Sequence, residues 1–307
     1  MSDSGMSADA MRVVEWDVPL DVVRTLAPLR MGATDPTSRR HGDTYWKARH
    51  TADGPATVAV RPTGPRQATF WAWGPGADAA LARSHEWLGI DDDLESFDAT
   101  AHPVVERLAA QRRGVRMGRF GDTFERLVPV IFGQLVLGKE ADRSHARLVH
   151  RFGESAPGPE DLRLSPTPER LIEMGSFDFH RLGVERRRAE IVQRAAREAS
   201  RIDRLLDVPV VDAYTFLRRL RGVGPWTITC LGRVAFGDAD AVIVGDYNLP
   251  HTVGWALAGK RRSDDEEMLQ LLEPFAGHRG RVQGMLKGAG KPPRHGPKNA
   301  FREIERH

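Results

Sequence analysis

One cysteine and a net charge of only +3 in 307 residues leave few chemistries open to this chain. The lone Cys230 excludes an intrachain disulfide framework, a cysteine-ligated iron–sulfur cluster and a multi-cysteine zinc site. No stretch approaches the ~18 consecutive apolar residues of a membrane span. The opening MSDSGMSADAMR is polar and acidic rather than basic and apolar, so residues 1–12 read as a disordered lead-in and not a secretion signal. A cytoplasmic chain with no membrane partner is expected. The histidines offer no metal spacing either: His-Glu-x-x-His is absent, and His145 and His150 lie five apart, off one helical face. There is no internal repeat.

What is present is an ordinary globular composition, 40% hydrophobic and 28% charged, long enough for two cores. The charge is unevenly spread. Residues 105–151 hold ten Lys or Arg against five acids, and the stretch from Lys287 onward is basic and rich in Gly and Pro, with Lys291, Arg294, His295, Lys298, Arg302 and Arg306. Such local excess suits a polyanion, although solvated helix faces and a flexible tail give the same pattern.

The first hundred residues mix α and β signals. A strand is predicted near Val13–Val18, followed by an amphipathic segment over 20–29 and β-like runs at Tyr45–His50, Ala56–Arg61 and Ala68–Trp73. Turn formers such as Asp53-Gly54-Pro55 and Thr63-Gly64-Pro65 bound the runs, and Ala77–Trp87 returns to helical spacing. From Pro103 the pattern is helix after helix. Phe124, Leu127, Val128, Ile131 and Leu135 recur at three- and four-residue steps, as do Ile191, Val192, Ala195, Ala196 and Ala199. The predicted organisation is a lead-in over 1–12, a mixed α+β domain over 13–102, a helical domain over 103–287 and a basic flexible tail over 288–307.

Val211–Leu220 is a helical run and Pro225 opens another, with Gly222-Val223-Gly224 between them. Glycine admits positive φ and lets a foreign backbone approach, and a helix start presents unpaired N–H groups and partial positive charge. The hairpin therefore reads either as a sequence-indifferent phosphate grip or as a corner whose glycines permit tight packing. It is not a dinucleotide motif, because a helix precedes it and the third glycine is missing. Gly133-Gln-Leu-Val-Leu-Gly138-Lys139 falls short of a P-loop, because Glu140 stands where a Mg²⁺-binding Ser or Thr is required.

These motifs in this order resemble the helix–hairpin–helix DNA glycosylase superfamily, specifically its 3-methyladenine DNA glycosylase II branch. The resemblance covers most of 100–286. It rests on Phe124-Glu125-x-Leu127 leading to Gly133-Gln134-Leu135-Val136, on Phe152-Gly153, and on Pro166-Thr-Pro-Glu-Arg-Leu171. Leu182-Gly183, Arg188-Ala189-x-x-Ile-Val192, Leu220-x-Gly-Val-Gly-Pro-Trp-Thr227, Asp246-Tyr247, Pro274 and Arg279 complete it. More weakly, the N-terminal region resembles the TATA-binding-protein-like α+β domain of that branch. The implied fold is this α+β domain followed by an all-α helix–hairpin–helix glycosylase domain.

The resemblance implies a monofunctional, monomeric enzyme of base excision repair. It would flip alkylated purines of the 3-methyladenine and 7-methylguanine type out of double-stranded DNA and hydrolyse them off, leaving an abasic site. Asp246 becomes the catalytic carboxylate, though an Asp before Tyr-Asn-Leu also suits a helix cap. Trp226 stands where bifunctional members carry a Schiff-base lysine, so no strand cleavage is expected. Trp226, Tyr247 and Cys230 would line the base pocket, with interhelical packing the alternative for Trp226. Leu135 would fill the hole left by the flipped base, or pack in the core on its apolar period; Gln134 would meet the orphaned partner base. Gly222, Val223, Gly224 and Thr227 would bind DNA. No cofactor is required, although backbone carbonyls of Leu220 and Val223 would suit a structural Na⁺ or K⁺.

Four departures make the lesion less secure than the reaction. Gly245 replaces an acidic residue that often precedes the catalytic Asp, and Leu137 a common Ser. Cys230 occupies a place for an aromatic residue, and Lys287 lies near where a further aromatic wall belongs. Deaminated bases, bulky or crosslinked adducts, and a catalytically silent damage-binding protein remain alternatives.

Overall fold

The computed structural model describes residues 7–290 and 292–293. Most of the basic tail and the first half of the lead-in lie outside the described residues. Five strands, β1 (Ala10–Glu15), β2 (Ser38–His41), β3 (Thr44–Thr51), β4 (Gly54–Gly64) and β5 (Gln67–Trp73), form one antiparallel sheet in the order β1-β5-β4-β3-β2. The expected lead-in is thus ordered at its end, since β1 opens at Ala10 and the Ser7 carbonyl accepts the Trp73 indole N–H at 2.7 Å. β2 is a polar edge strand that carries no hydrophobic alternation, and sequence reading misses it.

Both faces of the sheet are covered. Tyr45, Val58, Val60, Ala68, Phe70 and Ala72 face the short helices α1 (Val22–Thr25) and α2 (Ala77–Ala82) and the buried Trp87. Their neighbours Trp46, Ala59, Trp71 and Trp73 pack on Leu162 and Leu164 from the helical region. The two segments expected to be longer helices are interrupted: 3-10 turns take over at Ala27–Leu29, where Pro28 stands, and at Ser84–Leu88.

The helical region comprises α3 (Pro103–Gln111), α4 (Thr123–Phe132), α5 (Gly138–Phe152), α6 (Pro168–Glu173), α7 (Ser176–Arg181), α8 (Arg186–Arg197) and α9 (Ala199–Asp203). It continues through α10 (Val210–Arg218), α11 (Pro225–Ala235), α12 (Leu249–Ala258), α13 (Asp265–Leu272) and α14 (Arg279–Leu286). It has two cores. One gathers α4 to α11; the other joins α3, through Val105 and Leu108, to the C-terminal helices through Val253, Met268, Val282 and Leu286. Helix α11 belongs to both: Ile228, Leu231 and Ala235 enter the first core, while Trp226 and Cys230 pack against the second. The seam between the cores is where the candidate site forms.

Sheet and helices are fastened by charge as well as apolar contact. The fully buried Lys47 Nζ pairs with Glu125 of α4 at 2.5 Å and donates to Thr37 Oγ1 at 2.7 Å. Beside this pair, a cavity of about 600 Å³ separates β3 and α2 from α4, α5 and α9 and is lined by Arg49, His145 and Asp203 among others.

Candidate active site

The hairpin sits between α10 and α11 as its sequence requires. Gly222 has φ +96, and a Cβ there would stand 2.5 Å from Ile191 Cγ1, so the fold itself demands glycine. Gly224 differs. Its φ is −100 and an added Cβ would find nothing within 4 Å, so no intramolecular contact requires its bareness. Val223 points inward, 4% exposed, and its N–H donates to the Leu220 carbonyl at 2.9 Å. That carbonyl keeps a second lone pair for a cation. The first bond of α11 runs from Ile228 N–H to Gly224 O at 3.0 Å, so helical geometry leaves the Trp226 and Thr227 N–H groups over at the helix start.

The wedge candidate stands clear of the core. α4 stops at Phe132, whose carbonyl accepts from the buried Arg188 Nη1 at 2.6 Å, and the chain turns outward. Phe124, Leu127, Val128 and Ile131 are buried, but Leu135 is 91% exposed with φ +58. Core packing of Leu135, one of the two sequence expectations, is therefore excluded. A leucine in the left-handed region costs about 1–2 kcal/mol, a strain uncommon outside functional sites.

Gln134 does not project freely toward a partner base. Its Nε2 donates to the Gly222 carbonyl at 3.0 Å and to Thr227 Oγ1 at 2.9 Å, tying the Leu135 turn to the hairpin. Thr227 is correspondingly 2% exposed, so its side chain braces the hairpin from within and does not face outward as a DNA contact would. Glu140, the residue that breaks the P-loop pattern, caps α5 by accepting the Leu137 N–H at 3.0 Å.

Asp246 is half-buried and doubly held. Its Oδ1 accepts the N–H groups of Asn248 at 2.8 Å and Leu249 at 3.0 Å at the entry to α12; Oδ2 accepts a long bond from Trp226 Nε1 at 3.5 Å. The N-cap of α12 is Asn248, not Asp246; the candidate catalyst stands two residues before it, its carboxylate fixed by these two N–H bonds. The preceding Gly245 has φ +77 and donates its N–H to Asp265 Oδ2 at 2.8 Å. The Trp226 ring also reaches the wedge turn, 3.3 Å from where a Cβ on Gly133 would stand. Tyr247 is 59% exposed and meets His251 edge-on at 6.3 Å between ring centroids. Burial, reinforced by the negative charge of Asp246, pushes the Cys230 thiol up to about 12, which leaves it without thiolate character for nucleophilic attack.

Two known proteins are similar to this chain in sequence. DNA-3-methyladenine glycosylase of Bacillus subtilis is 26% identical over 199 residues, 62% of this chain and 65% of its own length. DNA-3-methyladenine glycosylase 2 of Escherichia coli is 29% identical over 157 residues, 50% of this chain and 56% of its own. The chain therefore spans less than two thirds of either relative. No protein-family model matches. The fold of the 3-methyladenine DNA-glycosylase from Archaeoglobus fulgidus superposes with a TM-score of 0.74, covering 90% of this chain and 96% of that one at 19% identity.

In sequence and fold the chain is similar to helix–hairpin–helix DNA glycosylases.

Within that superfamily frame the structure adds residues that sequence reading did not single out. Arg233 lies one turn beyond Cys230 on α11, and burial holds its guanidinium below the usual arginine range. Asp265 anchors the Gly245 turn. The spacing 226–230–233 was the available signal for Arg233; nothing in the sequence points from Asp265 to Gly245. Among the described residues no cluster of His, Cys, Asp or Glu is arranged to hold a metal ion, and no helix is long and apolar enough to cross a membrane.

Proposed function

We propose that this protein is a monofunctional DNA glycosylase that flips alkylated purines of the 3-methyladenine and 7-methylguanine type out of duplex DNA and hydrolyses their N-glycosidic bond. The observation that carries the reading is the Asp246 carboxylate, fixed by two backbone N–H groups beside Trp226 and the hairpin. Gly224 and the start of α11 receive a backbone phosphate, Leu135 enters the stack, and the extruded purine lies against Trp226 and Tyr247. As the bond breaks, its electron pair leaves with the base and C1′ becomes positive. Asp246 stabilises that charge without having to reorganise, then accepts the proton of the water that adds. A cationic purine gains about 0.5–2 kcal/mol from the aromatic face.

Trp226 has no amine for a Schiff base, so the product is an intact strand with an abasic site. A Na⁺ or K⁺ at the carbonyls of Leu220 and Val223 would support the phosphate contact. The sheet region is read as the TATA-binding-protein-like domain of this branch, and the protein as a cytoplasmic monomer.

The test incubates the protein with duplexes carrying one defined lesion each, followed by alkali. Asp246→Asn keeps an oxygen for the two N–H bonds, so it is expected to fold and bind DNA while losing about 10²–10³-fold or more in release rate. Equal rates would remove Asp246 from catalysis. Nicking without alkali would contradict the monofunctional reading, and binding without release of any base would indicate a damage-binding protein instead.

A further inference from the structure

Helix α8 lies against the hairpin, and Ile191 is where they touch: its Cγ1 is 2.5 Å from the place a Cβ on Gly222 would take. Residues four before and three after Ile191 share its side of the helix, so Arg187 and Arg194 flank that contact. Arg194 is anchored there. Its Nε donates to the Arg221 carbonyl at 3.2 Å, and its two Nη groups have no partner among the described residues. Arg187 is exposed and makes no bond among the described residues. The acids nearest in register are engaged elsewhere. Glu190, between the two arginines, pairs with Arg186 at 2.9 Å, and Glu198, one turn beyond Arg194, pairs with Arg201 at 3.2 Å. Two uncompensated guanidinium groups are left beside the hairpin.

We propose that Arg187 and Arg194 form a second phosphate-binding site on α8, which extends the hairpin's grip along the DNA backbone. The proposal rests on the DNA reading of the hairpin above. A guanidinium held through Nε presents both Nη groups as a planar fork, which pairs with a phosphate through two parallel bonds. Seven residues of helix separate the two arginines by about 10.5 Å. Phosphates of one strand rise about 3.4 Å each along the duplex, so the two arginines meet different phosphates. Each contact releases condensed counterion and reads no base, so the site adds affinity for any duplex and leaves the choice of lesion to the pocket.

Fluorescence anisotropy with matched undamaged and 7-methylguanine duplexes, across salt concentration, tests this for wild type and four variants. Arg187→Gln and Arg194→Gln should each lower the slope of log affinity against log salt by about 0.9. Each should weaken both duplexes by the same factor, on the order of tenfold at low salt. Arg194→Lys keeps the charge and should keep the slope. Arg39→Gln, on the edge strand β2, removes one positive charge from the sheet and should leave the slope as in wild type. Thermal melts identify a folding defect in Arg194→Gln, and Arg187→Gln then carries the test. Unchanged slopes in the α8 variants, an equal loss in Arg39→Gln, or a loss confined to the lesion duplex would overturn the site. If wild type binds duplex and releases 7-methylguanine while the α8 slopes stay unchanged, only this site falls. No salt-dependent duplex binding by wild type would overturn both the site and the reading on which it rests.

Discussion

Gln134 and Thr227 meet across the site: the amide nitrogen of one donates to the hydroxyl of the other at 2.9 Å, joining the exposed Leu135 turn to the start of α11. The contact makes the Leu135 turn and the Gly222–Gly224 hairpin one mechanical unit. Replacing Gln134 by Leu leaves a buried hydroxyl without that donor and is expected to cost about 1–3 kcal/mol in stability. A double-mutant cycle with Thr227→Val, followed by denaturant unfolding, should show coupling between the two positions. Strict additivity would mean that the bond does not hold the turn.

Leu135 pays for its exposure with a left-handed backbone. Leu135→Gly should relieve about 1 kcal/mol of strain and raise the melting temperature. It should also weaken base extrusion at least tenfold, on the order of the unstacking cost left uncompensated. Thermal melts and the fluorescence of 2-aminopurine beside a lesion read the two effects separately. A stabilised variant that still extrudes the base as wild type does would remove Leu135 from the mechanism.

The two hairpin glycines should behave oppositely. Gly222→Ala meets both positive φ and Ile191, and should lose about 1–3 kcal/mol of stability. Gly224→Ala meets nothing inside the protein, so its stability should stay within about 0.5 kcal/mol. Its methyl would, however, stand where a phosphate approaches. Fluorescence anisotropy with labelled duplex should show affinity falling about tenfold or more, with a changed salt dependence. Unchanged binding by Gly224→Ala would remove the phosphate grip.

Asp203 gives a pH signature. Burial, with the charges of Asp122 and Glu125 adding to it, raises its carboxyl from 3.8 to about 6, against the opposing Phe124 N–H bond and Arg49. The folded protein therefore keeps a proton that the unfolded chain releases between those values. Its contribution to stability is full below about pH 4 and is lost as pH rises to about 6. Asp203→Asn retains an oxygen for the Phe124 N–H and should stabilise the protein above pH 6 by on the order of 1–3 kcal/mol, with little effect at pH 4. Urea unfolding at the two pH values checks this; equal differences at both would contradict it.

Sequence and structure agree where local chemistry dominates. β3, β4 and β5 are legible because turn residues bracket them, and the hairpin because glycine and proline punctuate two helical runs. β2 is hidden because an edge strand such as Ser38–His41 needs no apolar alternation. Leu135 fits the apolar period of α4 and misleads, because the helix ends three residues earlier, where Arg188 holds the Phe132 carbonyl. Thr227 and Gln134 look like outward DNA contacts, yet they satisfy each other. Arg233 meets Gln283 and Gly284 only where α14 comes against α11, which no spacing within either segment announces.

The second helical core closes only when α3 and α14 meet, which brings together parts of the chain that leave the ribosome at the beginning and the end of the helical region. The hairpin and the wedge turn belong to the other core and can assemble earlier. A nascent chain can thus assemble the hairpin and the Leu135 turn before the seam around Asp246 has walls. The order of synthesis delays completion of the candidate site until α14 is made.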